Sequence, residues 1–429
     1  MERYNQFQDS DTKWFDKSPS HWQKSKNKFI LNEKSDEVGE LSKNYTLLSL
    51  TKKGVIIRDI ESGKGKFPSS FDKYKVVNKG DLIFCLYDIE ETPRTIGLSY
   101  DDGMITGSYK ICSTVNSVKK YIYYYYLNID DFKGLKPFYT GLRNVVRADT
   151  FNDLTIYLPP LKEQEQIVAF LDEKTSKIDD LVAKTKKKIE LLKEKRTALI
   201  NHCVTKGLNP NVEMKDSGVE WIGEIPSRWE CTKFNYNIHI QEGPGIMAVD
   251  FKERGVPLIR ISGVKENFVS LEGCNFLSEE KVLDKWSHFK LKKGDILISG
   301  SASTELVSEV DSDTIGAIPY TGLIILRPKS EKLIKEYIKL FVGSETFFTQ
   351  IDNLKTGSTM EHFGPTHLNR MFFLLPLKDE QQQIVDYLDE QTSKIDSTIS
   401  KEEKRIGLLK EYRQSLISNV VTGKIKVCN

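Results

Sequence analysis

A block of residues that occurs twice limits the folding of this chain more than any other feature. Leu158 to Asp179, LPPLKEQEQIVAFLDEKTSKID, returns without a gap as Leu375 to Asp396, LPLKDEQQQIVDYLDEQTSKID. The correspondence continues through Ile189, Leu192, Arg196 and Leu199, which are matched by Ile406, Leu409, Arg413 and Leu416. Weaker echoes in the same order occupy the rest of each half. Pro19-Ser20-His21-Trp22 answers Pro226-Ser227-Arg228-Trp229, Lys79-Gly80-Asp81 answers Lys293-Gly294-Asp295, and Thr140-Gly141 answers Thr356-Gly357. Internal repetition on this scale means two copies of one folding unit. The chain reads as domain, long repeat element, domain, long repeat element.

The repeat element is a long helix. Pro159 and Pro160 precede it, Glu163 and Glu165 stand in the first turn where the helix dipole favours acid, and Lys206-Gly207 followed by Pro210 marks its end. About 40 residues at 1.5 Å each predict a rod of roughly 60 Å. Its apolar positions follow a heptad, with Val168, Thr175, Val182 and Ile189 at a and Leu171, Ile178, Leu192 and Leu199 at d, interrupted by Thr185 and Arg196. The second copy keeps the register through Val385, Thr392, Ile399 and Ile406 at a and Leu388, Ile395, Leu409 and Leu416 at d, interrupted by Glu402 and Arg413. A helix this long with one apolar stripe needs a partner, and the matching stripe belongs to its own copy. A whole domain separates the two helices, so they are expected to pair as an intramolecular antiparallel coiled coil.

Residues 1–157 and 216–374 read as mixed α and β. Strand-like runs are Thr46 to Leu50, Val55 to Ile60, Asp81 to Tyr87, Val256 to Ile261, Asp295 to Ser299 and Leu323 to Leu326, and helix is expected at Ser117 to Leu127 and Lys332 to Phe341. The fold class is α+β: two mixed domains in tandem (1–157 and 216–374), each followed by a long helical region (158–215 and 375–429). The tyrosine run Tyr121 to Tyr126 has the composition of a base-stacking platform, but its alignment with Tyr337 to Phe341 favours packing of that helix on a core.

Little in the chain suggests catalysis. No G-x-x-x-x-G-K-[ST] phosphate loop occurs, since Gly63-Lys64-Gly65-Lys66-Phe67 lacks both the glycine spacing and the hydroxyl. His362 and His367 straddle Gly364-Pro365, with no thiol or carboxylate at ligand spacing, so no metal site is expected. No G-x-S-x-G elbow and no Cys-His nucleophile context appears. The six cysteines form no C-x-x-C pair and read as reduced cytoplasmic thiols. The opening residues Met1 to Ser20 are polar, and the longest apolar runs are of strand length, which predicts no secretory leader and no membrane association.

Charge is informative only locally. The 63 Lys and Arg nearly balance the 61 Asp and Glu, leaving a net charge of +2 that says nothing about partners. Within residues 52–79, however, Lys52, Lys53, Arg58, Lys64 and Lys66 belong to a run in which bases outnumber acids, as they do in residues 110–147. Such clusters suit phosphate contact, and Arg94, Arg143 and Arg147 on expected loops add candidates for base readout. In the second domain the candidates are Arg254, Arg260 and Lys265 around a strand, and Thr356, Ser358 and Thr359 in a Thr-Gly-Ser-Thr segment. Ordinary solvated side chains are the competing reading of all of them.

The two closing blocks, the long helices after them, and DSGVEWIGEIPSRW at Asp216 to Trp229 resemble the specificity subunit of type I restriction-modification systems across essentially the whole chain. In that family two target recognition domains of differing sequence are joined by two similar helical regions that pair as an antiparallel coiled coil, and each domain reads one half of a split double-stranded DNA target. The resemblance implies two modification (methyltransferase) subunits that use S-adenosylmethionine to methylate adenine. It also implies restriction and translocase subunits that use ATP and Mg, with no cofactor and no catalysis on this chain. Resemblance and helix geometry together imply that the helices set the spacer of a bipartite target, and the divergence between the two domains predicts that this target is asymmetric. The first half departs from the pattern at Trp14 to Pro19 and at Gly141-Leu142-Arg143. A coiled-coil scaffold that binds no DNA, and a cryptic nuclease built from scattered acids, are the rival readings.

Overall fold

The computed structural model describes residues 2–59, 70–140, 144–265, 267–300, 306–354 and 362–427. The chain divides into two compact units. One comprises Met1–Lys186 with Glu403–Asn429, the other Lys187–Glu402. Each long helix, Leu161–Lys206 of 46 residues and Lys378–Val421 of 44, therefore contributes one segment to each unit.

Both units are built on the same frame. The first holds an antiparallel sheet in the order Leu31–Lys34, Lys110–Thr114, Leu82–Phe84, Ile96–Leu98. The second repeats it as Ile238–Glu242, Leu323–Pro328, Ile296–Ser299, Val307–Glu309. In each, a short strand near the start of the domain pairs with the strand that leads into the long helix: Gln23–Lys26 with Thr155–Leu158, and Glu230–Lys233 with Phe372–Leu375. The expected strand Asp81 to Tyr87 is observed as Leu82–Phe84, with Asp81 buried just ahead of it. Its carboxylate accepts from the Asn78 N–H at 2.9 Å and from Lys34 at 2.7 Å, closing the Lys-Gly-Asp turn whose Gly80 has φ +91°. Asp295 does the same in the second unit, accepting from the Lys292 N–H at 2.7 Å and from Nε and Nη2 of Arg327.

A helix packs on each sheet, Lys119–Asp131 in the first unit and Lys335–Val342 in the second. Tyr121, Tyr124, Tyr125 and Tyr126 are buried in the core with Phe84 and Phe151, so the tyrosine run packs this helix and presents no open stacking face. The hydroxyl of Tyr121 lies 3.4 Å from the Val421 carbonyl, and that of Tyr337 lies 3.4 Å from the Val204 carbonyl. The end of a long helix is thus fastened to the domain helix in both units through equivalent residues.

The beginning of each long helix is fastened more tightly. The Gln164 amide donates to the Pro159 carbonyl at 2.9 Å and its oxygen accepts from the Val118 N–H at 2.9 Å, at the entry to the domain helix. Gln381 repeats this with the carbonyls of Pro376 and Lys332, each at 2.9 Å, and the Ile334 N–H at 3.0 Å. Beside them the buried indoles of Trp22 and Trp229 donate to Glu163 and Glu380 at 3.0 and 2.9 Å. The acids at the helix start thus have specific partners beyond the dipole.

Within each unit the long-helix segments run antiparallel. Leu171, Ile178, Ile189, Val385, Leu388, Ile395 and Leu416 are buried, while Val168, Val182, Leu192, Leu199, Ile399, Ile406 and Leu409 are half-buried. Near the ends the apolar stripe widens to include Ile167, Ile200, Val204, Ile384, Ile417 and Val421, because there each helix packs on a domain as well as on its partner. The interruptions of the heptad have partners too. Arg413 reaches Asp179 at 3.0 Å in the first unit and Arg196 reaches Asp396 at 3.1 Å in the second, where Lys188 also holds Glu402 at 2.5 Å.

Replacing Gln381 with Ala leaves a buried N–H and two carbonyls without their amide partner and is expected to cost about 1–3 kcal/mol, read as a lower urea midpoint. Gln164→Ala is expected to cost a similar amount. Midpoints equal to that of the parent would contradict the fastening role.

Candidate nucleic-acid interface

The two units share a frame but differ in what is attached to it. The first carries a hairpin, Leu48–Thr51 with Gly54–Ile57, and a strand pair, Lys75–Val77 with Gly103–Ile105. The second carries a four-stranded sheet in the order Phe251–Lys252, Asn275–Leu277, Val256–Ile259, Ile318–Pro319, whose last pairing is parallel. Most of the candidate cations among the described residues stand on or beside these divergent parts.

On the first unit's hairpin, Lys52 and Lys53 form the exposed two-residue turn, with the Lys53 N–H donating to Thr51 Oγ1 at 3.1 Å and Gly54 at φ +99° completing it. Two adjacent ammonium groups on a tight turn suit phosphate oxygens. Arg58 follows the hairpin, half-buried, with its N–H donating to the Leu47 carbonyl at 2.8 Å. Arg147 is exposed just before the short helix Ala148–Asp153. Lys64, Lys66, Arg143, Thr356, Ser358 and Thr359 lie outside the described residues.

Arg94 departs from its expected place on a free loop. Its Nη1 donates to Asp131 at 2.7 Å and to Asp130 at 3.3 Å, and Asp130 also accepts from Thr95 at 2.7 Å and from Lys133 at 3.0 Å. Burial opposes the guanidinium charge, but the two carboxylates more than offset it and hold the pKa above the usual arginine value. This arginine supports the end of the domain helix Lys119–Asp131 from within.

In the second unit Arg254 is exposed at the turn that enters Val256–Ile259, and Arg260 closes that strand. Lys265 pairs with Glu272 at 2.9 Å. The groups that frame Arg260 were not legible in the sequence. Nη1 of Arg260 donates to Asn275 Oδ1 at 2.9 Å, and its guanidinium lies 4.6 Å from the Tyr320 ring. Asn275 and Tyr320 are reached only through strand pairing, so no local signal marks them.

The described cysteines are free thiols. Burial pushes the Cys112 thiol up to about 12 and that of Cys203 up to about 11, the opposite of an activated nucleophile. His367 Nδ1 accepts from the Gly364 N–H at 3.2 Å, a local cap. Among the described residues no cluster of His, Cys, Asp and Glu is arranged to hold a metal ion, and no helix is long and apolar enough to cross a membrane.

Comparison with known proteins places this architecture. The family model of the Type I restriction modification DNA specificity domain matches residues 10–191 and again 226–406. The Type I restriction enzyme MjaVIII specificity subunit of Methanocaldococcus jannaschii is 29% identical over 297 residues, 68% of this chain and 66% of that one. The EcoBI specificity subunit of Escherichia coli is 23% identical over 288 residues, 64% of this chain and 59% of that one. A solved chain from a study of complex assembly and conformational transition of the type I R-M system superposes with a TM-score of 0.72 at 15% identity, covering 95% of this chain and 99% of its own. The HsdS subunit from Thermoanaerobacter tengcongensis does so with 0.54 at 17%, covering 97% and 100%. At these identities the superpositions speak for the fold. The two family matches together span most of the sequence and favour DNA specificity over the scaffold reading. The chain belongs to the type I restriction-modification DNA specificity family and carries its domain twice.

Proposed function

We propose that this chain is the DNA-reading subunit of a type I restriction-modification complex in the cytoplasm, each domain reading one half of a bipartite, asymmetric target in double-stranded DNA. It directs two methyltransferase subunits and the restriction subunits to that target. S-adenosylmethionine, ATP and Mg are used by those partners, for adenine methylation and for translocation and cleavage, and none is held by this chain. The observation that carries the reading is the pairing of equivalent frames with unlike attachments. Both units fasten their long helix through the same glutamine, tryptophan and tyrosine contacts, while the hairpin bearing Lys52 and Lys53 and the sheet bearing Arg254 and Arg260 have different strand orders. Two unlike surfaces on like frames suit two different half-sites.

The long helices act as the ruler in this reading. A 46-residue helix spans roughly 70 Å at 1.5 Å per residue, about two turns of duplex at 34 Å each. Its hydrogen-bonded backbone makes that length a fixed property of the sequence.

Methylome sequencing of the host with and without this gene tests the reading directly. A split, asymmetric motif that disappears on deletion is expected; an unchanged methylome or a palindromic motif would sink it. Inserting one heptad into each long helix, within Ile178 to Leu199 and the matching stretch of the second copy, keeps the apolar seam in register. It adds roughly 10 Å, so the unspecified gap is expected to grow by about three base pairs with both half-sequences retained. Recovery of the original spacing would rule the ruler out. Binding of the assembled complex to its target is expected to weaken steeply with salt, since phosphate contacts release counterions. A flat salt response would instead favour a scaffold.

A further inference from the structure

Arg260 is half-buried without a carboxylate. Of the five other half-buried arginines among the described residues, Arg94, Arg196, Arg327 and Arg413 each pair with an aspartate. Among the described residues Arg260 pairs with no acid. It is held by neutral groups: Asn275 Oδ1 at 2.9 Å, the Tyr320 ring at 4.6 Å and the Phe251 ring at 5.9 Å. The residues that frame it are tied to its own strand through the backbone. Asn275 lies on the strand paired with Val256–Ile259, opposite Leu258, and the Tyr320 N–H donates to the Ile259 carbonyl at 2.9 Å. Arg260 opens onto a cleft of about 480 Å³ whose lining includes Ser262, Gly273 and Thr321 and, among the described residues, no acidic side chain.

A guanidinium held over an aromatic ring and by one amide, with its remaining donors unclaimed by described residues, keeps less rotamer freedom than a free surface arginine. It therefore loses less on binding. Phosphate is served as well by a swinging ammonium; a planar fork held in place suits a planar acceptor pair. The guanine edge in the major groove, with O6 and N7, is such a pair. Exposed Lys252 and Arg254 nearby are placed for the backbone contacts that set register without reading sequence.

We propose that Arg260 is a specificity-determining residue that reads one guanine in the half-site of the second domain, positioned by Asn275 and Tyr320. The proposal rests on the function given above. The complete complex is tested in the host by replacing the gene with Arg260→Ala and Arg260→Lys alleles and sequencing the methylomes. With alanine, discrimination at one guanine is expected to fall by roughly 10- to 100-fold, so that one position of one half-site becomes degenerate while the other half-site and the spacer stay as they were. Lysine is expected to restore part of the preference for guanine.

An unchanged motif in the alanine allele overturns the proposal. So does a uniform decline at all sites with the motif intact, which marks a phosphate contact, and so does a half-site without a G·C pair. Should the alanine allele abolish methylation altogether, the wild-type complex decides. Its binding is measured to duplexes with 7-deazaguanine at each guanine of each half-site in turn. A sharp loss at one guanine of the second domain's half-site supports the reader, and no loss at any guanine of that half-site overturns it. Failure of the underlying function looks different, because the wild-type gene would then specify no bipartite motif at all.

Discussion

Each long helix carries in its first turn a buried glutamine whose amide is shared between the helix's own entry loop and the residues just ahead of the domain helix. A side-chain amide enclosed in this way has one satisfactory orientation, and losing it strands backbone groups that water cannot reach. The indole of Trp22 or Trp229 on the adjacent glutamate makes the joint stiffer still. Because the joint involves the domain helix and the sheet beneath it, the direction in which a long helix leaves its domain is set by the packing of that domain. The ruler proposed for the long helices depends on such a joint, since a fixed rod on a loose hinge would measure nothing.

The repeated frame was plain in the sequence, and the reasons for its individual residues were not. The duplicated blocks, the heptads and the tyrosine run all carry local periodicity, which survives without knowledge of the fold. The Glu-Gln dipeptide was equally visible, but its partners are far away in the chain: Trp22 lies 141 positions from Glu163, and Tyr121 lies 300 positions from Val421. The helix dipole explained an acid near the start without explaining why Glu163 and Glu380 stand where they do. The interruptions of the heptad became intelligible only once Asp179 and Asp396 were seen opposite the arginines.

The candidate interface was legible in type and poorly legible in place. Arg94 and Arg260 are the same residue on comparable stretches of sequence, yet one is neutralised by two aspartates and the other faces a cleft with an amide and a ring for company. What separates them is whether an acid from a distant element arrives beside the guanidinium, and composition does not report that. Lys52 and Lys53 were easier, because a two-residue turn between strands exposes its side chains whatever the rest of the fold does.

In the proposed reading, a shared frame carrying unlike readers implies that one reader can be changed without disturbing the other or the spacer. The measurement that tests this most directly is methylome sequencing of a host whose copy of residues 216–374 has been exchanged for the equivalent domain of another specificity subunit, with both long helices left intact. One half-site should change to the donor's sequence while the other half-site and the spacer remain. A change in both half-sites, or in the spacer, would contradict the account.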